Sequence, residues 1–196
     1  MSKAPPAVAD LLRAIRFAAE RHRDHRRKGT TAAPYINHPI TVAEQLAAHG
    51  FSHETELLMA AVLHDVVEDT ETTAEELAAV FGRRVADIVQ EVTDDKSLPR
   101  DERKARVVRF IADKSLAARL IKLSDLAANV HDVIHHPPHW SDTRKLEYLD
   151  WGEAVLERLR GTHAALEARL AALLEEARRG LGPHGSLRRI SAPDSS

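Results

Sequence analysis

Two groups of ionisable side chains interrupt parts of the sequence that are otherwise apolar. The first group is the run HDVVED at residues 64–69, which directly follows the apolar stretch from Leu57 to Leu63. On a helix its four polar members fall within an arc of about 140°. Burial of unpaired charges is so costly that such a cluster at the end of a core helix needs compensation. A divalent cation would compensate several of these groups together.

The second group lies on a later apolar stretch. Its members follow at steps of three, four and three residues and share one stripe of a helix: Lys122, Asp125, Asn129 and Asp132. A further imidazole stands in the segment PYINHP at residues 34–39. Together these segments offer a mixed nitrogen and oxygen ligand set: His38, His64, Asp65 and Asp125. Such a set suits Mn²⁺, Fe²⁺, Zn²⁺ or Mg²⁺, and Mn²⁺ is a good match for a phosphate substrate.

The remaining acidic residues of the first group suit phosphate chemistry. Hydrolysis of a phosphoanhydride requires charge neutralisation at phosphorus, an activated water and a group that handles a proton. Glu68 and Asp69 lie about one helical turn beyond the ligands, which favours acid–base catalysis or positioning of water. Basic side chains must then hold the other phosphates, and the candidates are Arg26, Arg27, Lys28, Lys96, Arg100, Lys104 and Arg144.

Each of these signals is weak when it is taken alone. A single His-Asp pair is structural or incidental in most sequences, and His38 beside Pro39 could simply begin a helix. Asp125 and Asn129 could form an internal polar pair, and any one basic residue is more often a solvated surface group. The coincidence of two polar groups on two apolar helices is what favours a functional site.

Helical periodicity accounts for almost the whole chain. Apolar residues recur at three- and four-residue steps, and they predict helices at residues 8–19, 39–49, 54–68, 73–82, 85–92, 101–111, 116–132 and 141–179. Thr73 and Glu76 fit a capping box at the start of the fourth helix. Residues 26–34, 93–99 and 135–139 read as loops. Since no segment alternates convincingly with a period of two, we predict an all-α fold with no strand.

The chain length suits a single domain. We assign residues 1–179 to this domain and expect residues 180–196, which are rich in Gly, Pro and Ser, to be a disordered tail. The chain contains no cysteine, which excludes disulfides and thiolate metal sites. Any metal must therefore be held by His, Asp, Glu or water.

Composition also limits the partners that we expect. With 28 basic and 30 acidic side chains the net charge is −2, so no global charge recruits nucleic acid or an anionic membrane. The N-terminus lacks the apolar run of a signal peptide, and no segment has the roughly 20 apolar residues that span a bilayer. We predict a cytoplasmic protein that binds a small molecule, and the sequence leaves a homo-oligomer open.

Five motifs, in order, resemble the hydrolase domain of RelA/SpoT proteins. They are RK at 27–28, PYINHP at 34–39, HDVVEDT at 64–70, EVTDDK at 91–96 and KLSD at 122–125. The resemblance extends over about residues 8–175 and is greatest to the stand-alone small alarmone hydrolases, including their metazoan members. Five motifs in order are far more specific than a His-Asp pair.

The resemblance implies a single-domain, all-helical HD fold that holds a manganese ion. The family's metal ligands correspond to His38, His64, Asp65 and Asp125, and its catalytic carboxylates correspond to Glu68 and Asp69. By the same resemblance, Arg27 would pack against a guanine base with Lys28 beside it. Four further residues match positions that line the nucleotide and phosphate pocket: Arg100, Asn129, Arg144 and Tyr148.

The chain departs from the family pattern at three places. The family often has a basic residue directly after the last metal aspartate and an aromatic residue or histidine before the asparagine. Here these positions are Leu126 and Ala128. A family glycine that precedes the PYI sequence is displaced, and Gly29 follows Lys28 instead. These departures bear on nucleotide selectivity and on the shape of the loop at the base.

The leading hypothesis is hydrolysis of guanosine tetra- and pentaphosphate, (p)ppGpp, to GDP or GTP and pyrophosphate. The resemblance to metazoan members also suggests an alternative, a phosphatase that acts on NADPH or another nucleotide at the same metal site. A catalytically silent nucleotide-binding module is a third hypothesis, but it gives no use for Glu68 and Asp69. A purely structural helical protein would not need carboxylates at the ends of two core helices.

Overall fold

The computed structural model describes residues 8–29 and 32–181 of the chain. The helices in this part are α1 (Val8–Arg21), α2 (Asn37–Leu46), α3 (Thr55–Leu63), α4 (Val66–Asp69), α5 (Ala74–Phe81), α6 (Arg83–Val92), α7 (Arg100–Phe110), α8 (Leu116–His135), α9 (Asp142–Arg158) and α10 (Ala164–Leu181). A π-helical turn at Ala47–Phe51 continues α2, and a 3₁₀ turn at Ile111–Asp113 follows α7. Among the described residues the only β pairing is an isolated bridge between Arg26 and Pro34. The predicted all-α class is therefore confirmed.

Two apolar helices form the centre of the molecule. Every residue of α3 from Leu57 to Leu63 is buried, and α3 packs against α1, α2 and α6. Helix α8 buries residues on several of its faces, including Leu120, Leu123 and Leu126, and it packs against α2, α6, α9 and α10. Since a helix that is apolar all round is stable only when it is surrounded by protein, α3 and α8 become the rigid supports of the polar residues that they carry.

The predicted cap of the fourth helix is present. The hydroxyl oxygen of Thr73 accepts a hydrogen bond of 3.1 Å from the backbone N–H of Glu76, and Gly82 ends α5 with a φ of +95°. The residue types at the two ends of this helix were therefore sufficient to locate it.

The predicted helix at residues 54–68 is wrong in one respect, because it is broken in the middle. Helix α3 ends at Leu63 and α4 begins at Val66, so His64 and Asp65 lie in a turn between them. On a continuous helix these two side chains would be 100° apart. In the turn His64 Nε2 instead lies 3.1 Å from Asp65 Oδ2, so the break brings both side chains to one point.

The predicted helix at residues 141–179 is also wrong, because it consists of α9 and α10. The chain turns between Arg158 and Ala164, and Gly161 in this turn has a φ of +82°, a conformation that glycine adopts without steric cost. Helix α10 then packs against α8 and α9. At Gly152 of α9 a Cβ atom would lie only 3.0 Å from Leu174 Cδ2 of α10, so glycine permits this close approach.

The last helix ends close to the expected end of the domain. Helix α10 continues to Leu181, two residues beyond the expected end of the domain. The predicted disordered tail falls mainly on residues 182–196, which lie outside the described residues. Within the described part of the chain, no helix combines the length and the apolar character that crossing a membrane requires.

Candidate metal centre and adjoining cavity

Three separate helical segments bring two imidazoles and two carboxylates together. His38 lies in the first turn of α2, His64 and Asp65 lie in the turn after α3, and Asp125 lies in the middle of α8. The potential ligand atoms of His38, His64 and Asp65 are all within 4.8 Å of one another. Asp125 completes the set, since its Oδ1 lies 3.1 Å from His38 Nε2 and 3.7 Å from His64 Nε2.

The hydrogen bonding of His64 leaves one nitrogen facing the carboxylates. His64 Nδ1 lies 2.7 Å from the carbonyl oxygen of Ala61, and because a carbonyl only accepts, Nδ1 must donate. In the neutral ring Nε2 then carries a lone pair. This atom is completely buried and has no hydrogen-bond partner among the described residues, as expected for a nitrogen that ligates a metal.

Each carboxylate is held by a neighbouring polar side chain. Tyr35 donates a hydrogen bond of 2.6 Å to Asp65 Oδ2. Asn129 Nδ2 donates a bond of 2.6 Å to Asp125 Oδ1, while Lys122 Nζ donates one of 3.0 Å to Asp125 Oδ2. Such partners fix the orientation of potential ligands before any ion binds.

Burial and charge set the protonation of this cluster. Burial lowers the pKa of His38, which favours the neutral, ligating form. Burial also acts to lower the pKa of His64, but the nearby charges of Asp65 and Asp125 raise it well above its usual value. The pKa values of Asp65 and Asp125 are depressed despite burial, by His64 and by Lys122 respectively.

This donor set fits a divalent cation. Two ionised carboxylates in a desolvated position require positive charge, and a proton on His64 supplies it only when no metal is bound. Two nitrogen and two oxygen donors suit several first-row ions as well as harder, oxygen-preferring ions such as Mg²⁺. The donor set therefore suits a divalent ion, and its chemistry alone does not choose which one.

The two predicted catalytic carboxylates have different surroundings. Glu68 Oε2 accepts a hydrogen bond of 3.1 Å from the backbone N–H of Asp94, and its Oε1 lies 3.7 Å from Arg103 Nη1. Burial raises the pKa of Glu68 to about 7, although the bond from Asp94 opposes this shift. Asp69 faces the neighbouring cavity and forms an ion pair with Lys96.

A cavity of about 1000 Å³ adjoins the metal centre. Its wall includes His38 and Asp69 and four of the six residues that were predicted to bind substrate: Arg27, Lys28, Asn129 and Tyr148. Among the described residues, the wall does not include the other two, Arg100 and Arg144. The cavity therefore brings most of the predicted binding residues beside the metal ligands.

Arg144 and Arg100 lie farther from the cavity. The guanidinium of Arg144 is stacked 4.6 Å from the ring centre of Trp140, which itself lines the cavity. Arg100 is exposed at the start of α7. Lys104, one turn along α7, lies 5.5 Å from the ring centre of Tyr148. The basic surface of α7 thus reaches the cavity through Lys104 and Tyr148 rather than through Arg100.

The three departures from the family pattern have distinct surroundings. Leu126 is buried in the core and packs near Gly152, so it does not contribute to the cavity wall. Ala128, in contrast, lines the cavity. A Cβ atom on Gly29 would lie 2.6 Å from the carbonyl oxygen of His136, so glycine at this position allows the loop to approach the end of α8.

Several residues of the site were missed at the level of sequence. Asp132, Arg169 and His25 line the cavity, and His25 Nδ1 lies 3.0 Å from Nδ1 of the buried His22. Asp132 was visible in the polar stripe of α8 but received no role. Arg169 had no signal, because it resembles any exposed charged residue of a long amphipathic helix.

The fold and the site define the class of protein. The family model described as the HD domain matches residues 14–133, which contain all four potential metal ligands. This match covers more than half of the chain and agrees with the all-helical fold and the histidine–aspartate centre. The chain therefore belongs to the HD-domain family.

Within this family the chain is similar to small metazoan proteins. It is 48% identical over 171 residues to guanosine-3′,5′-bis(diphosphate) 3′-pyrophosphohydrolase MESH1 of Danio rerio, a match that covers 87% of this chain and 95% of that protein. The identity to the Homo sapiens MESH1 protein is 44% over 175 residues, covering 89% and 97%. A solved structure of a metazoan orthologue of SpoT, described as hydrolysing ppGpp, superposes with a TM-score of 0.83 at 39% identity, covering 89% and 98%.

Proposed function

We propose that this protein is a Mn²⁺-dependent hydrolase that converts (p)ppGpp to GDP or GTP and pyrophosphate. The observation that carries the proposal is the meeting of two imidazoles and two carboxylates beside a cavity whose wall includes His38, Arg27 and Lys28. The relatives of similar length are named for this reaction, which supports the same substrate here.

The proposed metal ligands are His38, His64, Asp65 and Asp125. A divalent ion at this position would neutralise charge at phosphorus and lower the pKa of water. We favour Mn²⁺ because the set mixes imidazole with carboxylate donors and the substrate is a polyphosphate.

Residues of the chain hold the substrate and move the proton. We assign Arg27 to the guanine base and Lys28 to phosphate, since both line the cavity next to the centre. Glu68, with a pKa of about 7, accepts a proton from the attacking water and returns it to the departing 3′ oxygen of ribose. The water oxygen forms a bond to the phosphorus next to the ribose, the bond from that phosphorus to the 3′ oxygen breaks, and pyrophosphate leaves. Asp69 orients water from the cavity wall.

A second candidate substrate is NADPH, whose ribose phosphate would be cleaved by the same residues. The size of the cavity favours it, because about 1000 Å³ is at the upper end of the range for small-molecule sites. Trp140 and Tyr148, whose ring centres are 5.5 Å apart, supply aromatic surface for a second ring system.

The test measures pyrophosphate release from guanosine tetraphosphate beside phosphate release from NADPH, each with Mn²⁺ and with EDTA. We expect EDTA-sensitive pyrophosphate release that is lost in Glu68→Gln. If phosphate is released from NADPH and no pyrophosphate from guanosine tetraphosphate, the proposed metal site stands but the substrate is NADPH. If the protein binds Mn²⁺ and releases neither product, the proposed reaction is wrong.

A further inference from the structure

Three hydrogen bonds hold the Arg27 side chain against the C-terminal part of α8. Its Nε and Nη2 donate to the same oxygen of Asp132 at 2.9 and 2.7 Å, and Nη2 also donates to Asn129 Oδ1 at 2.7 Å. Only 17% of the Arg27 side chain is exposed. A charged group that is held in this way has few other orientations.

The bond from Arg27 determines which way the Asn129 amide faces. Because the amide oxygen accepts from the guanidinium, the amide nitrogen must point the other way, where it donates to Asp125 Oδ1 at 2.6 Å. The reversed amide would put its N–H groups against the guanidinium and its oxygen against a carboxylate, and both contacts are repulsive. Arg27 therefore selects the Asn129 orientation that holds Asp125.

The same guanidinium also contacts Tyr35, which hydrogen-bonds to the second carboxylate, Asp65. The Arg27 guanidinium lies 5.6 Å from the ring centre of Tyr35, within cation–π range. The hydroxyl of this tyrosine donates to Asp65 Oδ2 at 2.6 Å. Two chains of contacts thus run from one side chain to the two carboxylates of the proposed metal centre.

We propose that Arg27, held by Asp132, is a positioning residue for the metal centre as well as part of the nucleotide cavity. It touches none of the four proposed ligands and acts through Asn129 and Tyr35. Because binding effects are reciprocal, a nucleotide that contacts Arg27 strengthens or weakens metal binding by the same factor as the metal changes nucleotide binding. The inference rests on the proposed metal centre but not on the identity of the substrate.

The direction in which Mn²⁺ affinity changes when Arg27 is removed distinguishes a positioning role from a purely electrostatic one. Removing a positive charge near a cation site strengthens cation binding by Coulomb's law. Losing a residue that orients the ligands weakens it, and partners of ligands typically contribute about 10–100-fold in metal affinity. The two explanations therefore predict opposite effects for Arg27→Ala.

The experiment measures the Mn²⁺ dissociation constant by electron paramagnetic resonance of free Mn²⁺, without nucleotide, for the full-length protein. We expect about 10-fold weaker binding in Arg27→Ala and in Asn129→Ala, and a smaller loss in Asp132→Asn. The matched control is Arg26→Ala, because within the described residues the Arg26 guanidinium hydrogen-bonds to the backbone oxygens of Arg23 and His25 and to none of the proposed ligands or their partners. Its affinity should stay within about twofold of wild type.

A double variant tests whether Arg27 acts on the metal centre through Asn129. If Arg27 acts mainly through Asn129, Arg27→Ala combined with Asn129→Ala weakens Mn²⁺ binding much less than the product of the two single effects. Circular dichroism melts confirm that each variant is folded at the temperature of the assay. Unchanged or tighter Mn²⁺ binding in folded Arg27→Ala overturns the inference. A wild-type protein that binds no Mn²⁺ overturns the proposed function itself.

Discussion

Lys122 Nζ lies 3.0 Å from Asp125 Oδ2, one helical turn away on the same helix, and only 14% of the lysine side chain is exposed. The other oxygen of this carboxylate faces His38 at 3.1 Å. Burial acts to lower the pKa of Lys122, but the neighbouring carboxylates raise it above the usual value, so the lysine stays charged. Asp125 is therefore shared between a permanent internal cation and the proposed metal centre.

This sharing predicts that Asp125→Asn has two separable effects. The variant should lose bound metal, because an anionic ligand is removed, and it should lose about 3 kcal/mol of stability, because Lys122 keeps a buried charge without its main partner. Adding Lys122→Met should restore part of the stability but no metal. Metal content by mass spectrometry and unfolding in urea measure the two effects. A metal-loaded, active Asp125→Asn protein would remove Asp125 from the ligand set.

The raised pKa of Glu68 predicts the shape of the pH–rate profile. A base must be ionised, and Glu68 is protonated below a pKa of about 7, so kcat should rise with pH and level off above about pH 7. A bound divalent ion favours the ionised form and moves this limb to lower pH. Glu68→Gln should keep the metal and lose most of the turnover, and its remaining kcat should not show this rise with pH. Loss of metal in Glu68→Gln would instead make Glu68 a ligand.

The cavity wall predicts that two basic residues contribute unequally to substrate binding. Lys28 lines the cavity, whereas Arg100 does not. Lys28→Ala should raise KM by roughly 10-fold or more, the usual contribution of a hydrogen bond to a charged group. Arg100→Ala should change KM by less than about twofold, since distant exposed charges are screened. Steady-state kinetics at two salt concentrations measure KM for both variants. A larger increase of KM in Arg100→Ala than in Lys28→Ala would mean that α7 closes over the substrate.

The turn at Gly161 predicts a stability effect that is independent of catalysis. A Cβ at this position would meet nothing within 4 Å, so strain at a φ of +82° is the main cost of Gly161→Ala. We expect the free energy of unfolding to fall by about 1 kcal/mol with kcat and KM unchanged. Gly161→Asn, which tolerates this conformation better, should lose less. An equally stable Gly161→Ala protein would contradict the helical hairpin formed by α9 and α10.

Much of the fold could be predicted from local sequence. The apolar periodicity located most of the helices, and the unbroken apolar run of residues 57–63 identified the central helix. Thr73, Glu76 and Gly82 marked a helix start and stop through their own side chains and backbone freedom. Five ordered motifs pointed to the correct family. Each helix signal and each single motif depends on residues within a few turns of each other, so it is visible in a linear sequence.

Other features were decided only by the tertiary structure. The break at His64 and the reversal at Gly161 lie where the helical periodicity continues on both sides, and tertiary packing outweighs that local preference. Local pattern also did not separate Lys28, in the cavity wall, from Arg100, outside it, since both are basic and exposed. The bond from Arg27 to Asn129 joins residues 102 positions apart. Such contacts have no local signature, because they exist only once the buried helices have fixed the distance between their supports.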